Sequence, residues 1–164
     1  MKSPGSAANG RPAGSLCART IKAGLAYFAL AFGAGFVLGS IRVLFLVPRF
    51  GERVAELAEM PVMFVVIMVS ARFIVRRFSL PGHAAPRLGA GFLALALLLA
   101  AEILLALAIQ DRTLGEYVAS RDPVSGVVYL AMLALFAVMP LVVGQAMSTA
   151  DVNGRPKNPP DAPR

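Results

Sequence analysis

Four apolar runs, each close to the roughly 20 residues that a helix needs to cross a bilayer's hydrocarbon core, decide what this chain can become. They lie at about 21–47, 54–75, 88–109 and 124–147. In lipid every backbone N–H and C=O must be satisfied within the structure, so such runs read as α-helices and not as loops or open strands. The expected fold class is therefore all-α, an integral membrane four-helix bundle. Composition agrees: the 164 residues are 57% apolar and 15% charged, with a mean hydropathy of +0.70, against about 25% charged in a soluble domain. Pro61 and Pro140 fall in the second and fourth runs. Neighbouring helices can satisfy the carbonyl that each frees, and Pro61 is placed in the first membrane turn.

The connections set the orientation. The N-terminal segment carries Lys2, Arg11, Arg19 and Lys22 with no acid, and the second connection has Arg76, Arg77 and Arg87 just after Arg72. The first connection mixes Arg49 and Arg53 with Glu52 and Glu56, and the third sets Asp111, Glu116 and Asp122 against Arg112 and Arg121. An excess of Lys and Arg marks the cytoplasmic side, so the chain is expected to be N-in and C-in. The net charge of +7 and pI near 10.5 follow from this bias and not from a basic stripe, so no nucleic-acid partner is expected. Residues 1–20 and 148–164 are rich in Pro, Gly, Ser and Asn and are expected to be disordered cytoplasmic tails around a membrane domain at 21–147. The first run is too long and begins too late for a cleaved signal peptide.

Catalytic signals are absent from the sequence. Cys17 is the only cysteine and His83 the only histidine. Neither has companions at metal-ligand spacing, so no metal, cofactor or enzymatic activity is expected. Helix association has a clearer signal. Ala31, Gly35 and Gly39 stand four residues apart on the first span, with Gly24 and Gly33 nearby, and such a ridge of small residues lets backbones approach closely. Its expected use is packing within the chain, with a second copy or another membrane protein as the next candidate. Ser70, Ala71, Gly89 and Gly91 are the small residues that would meet it.

Charge inside the apolar runs is the remaining anomaly. With a rise of 1.5 Å per residue, Arg42 lies roughly 7 Å below the outer end of its span, Glu56 and Glu59 about 7 and 12 Å beyond Gly51, and Glu102 about 12 Å before Gln110. A lone carboxylate in hydrocarbon is costly and is paired, protonated or beside water. Arg42, always charged and carrying five donors in a planar fork, is the expected partner for both Glu59 and Glu102, with Glu56 beside them. One arginine against two acids leaves a surplus charge, so either Arg49 or Arg53 from the outer hairpin reaches in or one glutamate holds a proton. Two readings stay open: a polar staple between helices, which is preferred, and a site for an anionic or protonatable ligand or a proton path. At the inner end Arg72, Arg76 and Arg77 are expected to contact lipid head groups. Gln145, after Pro140 and Gly144, is expected to satisfy backbone groups freed by a bend.

Residues 39–77, GSIRVLFLVPRFGERVAELAEMPVMFVVIMVSARFIVRR, resemble the characteristic part of a family of small, uncharacterised bacterial inner-membrane proteins with four predicted spans. In that pattern the IRVL, PRxG and AELxExP elements recur, here at 41–44, 48–51 and 55–61. The resemblance implies an inner-membrane location and a role for this hairpin, and no reaction. The expected function is that of a non-enzymatic membrane accessory or assembly protein with an outer-leaflet Arg/Glu cluster. The alternative is a small oligomeric, proton-coupled transporter or channel.

Overall fold

The computed structural model describes residues 13–110 and 123–153. Helix α1 (Ala13–Ile41) passes into a π-helical turn (Arg42–Leu46) and then α2 (Val47–Phe50); α3 (Glu52–Arg77), α4 (Ala84–Gln110) and α5 (Pro123–Asn153) follow. No strand occurs among the described residues. Four helical segments are long and apolar enough to cross a membrane: Gly14–Phe50, Glu52–Arg77, Ala84–Leu105 and Gly126–Ala150. The chain is a multi-pass membrane protein by this measure.

Two expected boundaries need correction. Residues 13–20, assigned to the N-terminal tail, are helical, and so are 148–153, assigned to the C-terminal tail. A helix need not stop where the chain turns polar. No proline falls between Ala13 and Ile41, and on α5 the first breakers beyond Met147 are Gly154 and Pro156. The hydroxyls in these extensions bond back to carbonyls one turn earlier: Thr20 Oγ1 donates to Leu16 O (3.1 Å), Ser148 Oγ to Gly144 O (3.0 Å) and Thr149 Oγ1 to Gln145 O (3.1 Å). The remainder of both expected tails, 1–12 and 154–164, and the third connection, 111–122, lie outside the described residues.

The α2–α3 hairpin turns on one residue. Gly51, at φ 78° and ψ 164°, closes α2 by donating its N–H to Val47 O (3.0 Å) and opens α3 by accepting from Ala55 N (3.1 Å). That backbone region is essentially restricted to glycine. Pro61 is the tenth residue of α3 and not in its first turn, because Gly51 starts the helix earlier than the apolar run does. The other end of α3 closes with a Schellman arrangement: Leu80 N donates to Val75 O and Ser79 N to Arg76 O, both at 3.3 Å. Ser79 occupies the left-handed position at φ 47°, and Leu80 is buried beneath the turn.

The long helices form a ring in which α1 touches α3 and α4, and α5 touches the same two from the opposite side. Across the middle Tyr27 of α1 meets Phe136 of α5, their rings stacked with centroids 4.3 Å apart. Pro140 has no N–H to give to the carbonyl four residues earlier, which is that of Phe136. Tyr27 Oη donates to this carbonyl at 3.1 Å. The group freed by Pro140 is thus satisfied from α1; Gln145, expected to serve that purpose, has an exposed side chain.

Small residues allow the tight crossings, at positions partly different from the expected ridge. A Cβ built on Gly91 would fall well inside the Ala137 carbonyl of α5, and one on Gly24 would lie 2.9 Å from Leu93 Cδ2 and 3.0 Å from Ala90 O of α4. Within the ridge, Ala31 is buried, Gly35 faces Met63 of α3 at an ordinary 3.7 Å, and Gly39 has open space. Gly89 faces Thr20 of α1. The core, with Ala23, Ile67, Ala71, Ile74, Ala90 and Ala94 around the aromatic pair, lies in the half of the bundle nearer the α3–α4 loop. We call that half the terminal end and the other the hairpin end.

Candidate functional site

At the hairpin end the apolar segments hold their ionisable groups in two clasps. Arg42 begins the π turn, in which Val47 N–H reaches back to Arg42 O over five residues. Such widened turns rephase the side chains after them and are frequent at functional sites. Arg42 is nine residues before Gly51 and Glu59 eight after it, so a one-residue hairpin brings them to the same depth. Arg42 Nη1 donates to Glu56 Oε1 at 3.0 Å. Its Nε forms an ion pair with Glu59 Oε2 at the same distance, although the N–H is not aimed at that oxygen as a hydrogen bond requires. Glu56 and Glu59 stand three residues apart and so share one face of α3.

Glu102 does not join Arg42. Its Oε2 accepts a hydrogen bond from the Tyr129 hydroxyl of α5. The expectation of one cluster across three helices is therefore replaced by two clasps, each closing a pair of helices adjacent in sequence. The reason is geometric: Glu56 reaches Arg42 from the same helix as Glu59, one turn away, whereas α4 already has a donor on its own hairpin partner. Sequence reasoning missed Tyr129, although its depth was a signal that made it a candidate beside Arg42. It lies six residues into α5, while Glu102 lies eight before the end of α4, so both are roughly 9–12 Å from their connection.

The side chains of Arg42, Glu56 and Glu59 are 24%, 21% and 17% exposed, so the clasp is partly open. Arg49 and Arg53 are exposed on the hairpin; Arg53 has a contact of its own, and among the described residues Arg49 makes no ion pair with the two glutamates. Glu56 and Glu59 thus both pair with Arg42. At the terminal end Arg72, Arg76 and Arg77 are exposed and line, with Val69 and Phe73, an open groove of about 440 Å³ on α3. Cys17 and His83 are both exposed. Among the described residues no three His, Cys, Asp or Glu side chains gather as metal ligands would. Compared with known proteins, the chain matches no family model, no curated protein and no solved structure.

Proposed function

We propose that this chain is a non-enzymatic accessory or assembly protein of the bacterial inner membrane, oriented N-in and C-in, with its Arg/Glu clasp in the outer leaflet. The observation that carries the reading is Arg42 held between Glu56 and Glu59 at 3.0 Å each, with Glu102 held separately by Tyr129. The intramembrane charges are engaged in joining helix to helix, which is how polar groups act as packing glue in lipid. Terminal-end arginines against a mixed hairpin end support the orientation, and the resemblance of residues 39–77 to small four-span inner-membrane proteins supports the location. Lipid is the immediate partner, with Arg72, Arg76 and Arg77 at the inner head groups. A second copy or another membrane protein is the partner for the apolar surface.

One observation favours a second reading. Two carboxylates share one arginine in a partly open clasp, so one proton can be taken up without unpairing Arg42, as a proton-coupled oligomeric transporter or channel requires. The test compares Arg42→Ala, Glu59→Gln and Glu102→Gln for stability in detergent and for pH-dependent flux in proteoliposomes. Loss of assembly, with no wild-type flux at any pH, is expected. Variants that stay folded while a wild-type proton flux disappears would overturn the accessory reading. Topology has a separate check: a periplasmic reporter fused after Asn153 should be inactive.

A further inference from the structure

The bundle is electrically lopsided. Glu52, Glu56, Glu59 and Glu102, the acids whose side chains the structure describes, all lie at the hairpin end. The terminal end carries Arg19, Lys22, Arg72, Arg76, Arg77 and Arg87, the first five exposed. Arg87 differs from these. From its place in a basic connection it reads as a solvated charge, yet it is only 5% exposed, more buried than any other charged residue described.

Its Nε and Nη1 are buried with no hydrogen-bond partner among the described residues. A guanidinium does not give up its proton inside a protein, so burial cannot neutralise it as it would a lysine. A buried ion without a counter-charge bears its whole desolvation penalty. The seat is nonetheless built. The guanidinium lies against Gly144 of α5, where a Cβ would come within 2.6 Å of Nε and closer still to Nη1 and Cζ. Any other residue at 144 would displace it. Arg87 is also three residues from the start of α4 at Ala84, about 4.5 Å along the axis. This is the first turn of the helix, where the positive end of the helix dipole favours an anion, with N–H groups from Ala84 and Ala85 but none from Pro86. Long helical side chains lean toward the N-terminus, so the guanidinium stays near the level where the span begins.

We propose that Arg87, seated in the gap at Gly144, is the buried anchor of a site for a phosphate-class oxyanion at the terminal end of the bundle. The anion supplies the counter-charge that the described side chains do not, and the exposed basic residues around it raise its local concentration. Two sources share this chemistry: the phosphodiester of an anionic lipid and free inorganic phosphate. The site is separate from the exposed arginine groove on α3, and it depends on the spanning fold and not on the accessory role.

The test follows thermal unfolding of the full chain in a neutral detergent with added phosphatidylglycerol, phosphatidylcholine or inorganic phosphate, alongside native mass spectrometry of the retained lipid. Phosphatidylglycerol, phosphate or both should raise the midpoint, and phosphatidylcholine should not. A shift with lipid alone identifies the lipid as the source; a shift with phosphate as well identifies the free anion. Arg87→Met should lose the shift and the retained lipid while being at least as stable as wild type without anion, because an apolar side chain replaces an unpaired charge. Arg87→Lys, which keeps the charge but not the fork, should weaken binding by about tenfold or more. The triple variant Arg72→Gln, Arg76→Gln, Arg77→Gln should weaken the shift without abolishing it, because these side chains raise the local anion concentration but do not form the buried seat. Equal shifts in wild type and Arg87→Met would overturn the proposal in favour of the exposed arginines, and so would the absence of any anion-dependent shift. It also falls if Asp151→Asn lowers stability in the wild-type background but not in Arg87→Met, since the counter-ion would then be the chain's own.

Discussion

Tyr27→Phe is the sharpest perturbation that this fold permits. The substitution removes one oxygen and keeps the ring, so the stack on Phe136 at 4.3 Å is undisturbed. What it removes is the donor to Phe136 O, at 3.1 Å, the carbonyl that Pro140 leaves without a backbone partner. Tyr27, Phe136 and Pro140 are all essentially inaccessible, so no solvent replaces the lost bond. Hydrogen bonds between membrane helices average about 0.6 kcal/mol and reach about 1.7, while an orphaned buried acceptor costs about 1–3 kcal/mol. We therefore expect Tyr27→Phe to destabilise the protein by about 1–2 kcal/mol. The decisive comparison is a double-mutant cycle with Pro140→Ala, read by reversible denaturation in mixed micelles. Alanine at 140 restores an N–H to Phe136 O, which makes the tyrosine hydroxyl redundant. In that background Tyr27→Phe should cost less than about 0.5 kcal/mol, close to the limit for non-interacting sites. The same cost in both backgrounds would refute the claim that the tyrosine serves the carbonyl freed by proline.

Other substitutions probe the remaining joints. Gly91→Ala should cost about 1–3 kcal/mol or prevent folding, since its methyl would enter the Ala137 carbonyl. Gly39→Ala, with nothing within 4 Å, should be neutral or gain roughly 0.5–1 kcal/mol of helix propensity in the same denaturation assay. Gly51→Ala should cost about 1–3 kcal/mol, because a Cβ is strained at φ 78°, and cross-linking of cysteines placed on α2 and α3 should report the loosened hairpin. Ser79→Gly should raise stability by about 0.5–1 kcal/mol by relieving the left-handed serine, visible as a higher unfolding midpoint. Tyr129→Phe strips Glu102 of its donor and should cost about 1.5 kcal/mol, the low end for a bond to a charged group because the pair is only partly buried; adding Glu102→Leu should recover most of that loss, since both partners are then removed together.

The clasps show how depth in the membrane can be read from a linear chain. Arg42 and Glu59 are nearly equidistant from Gly51, and a tight antiparallel hairpin pairs such positions almost regardless of side-chain detail. That pairing was legible in the sequence. Glu102 was legible as an intramembrane charge but not as the partner of Tyr129. Depth alone puts it level with both Arg42 and Tyr129, and only the lateral arrangement of helices chooses between them.

Hydropathy, breakers and charge along the chain determined the number of spans, their nature as helices, and the strong charge asymmetry between the two ends. These depend on transfer between water and lipid and on local backbone preference, both of which act residue by residue. The tertiary structure alone decided which small residues are crossings. Gly91 and Gly24 are pressed against neighbouring helices while Gly39 is open, although all three look alike in sequence. It also decided that Tyr27 serves the carbonyl freed by Pro140, across 109 positions of chain, and that Arg87 is buried against Gly144 while its fellow arginines face outward. Lipid solvates one apolar helix face as well as another, so lateral contacts follow from shape and hydrogen bonding between distant residues, which no local pattern encodes.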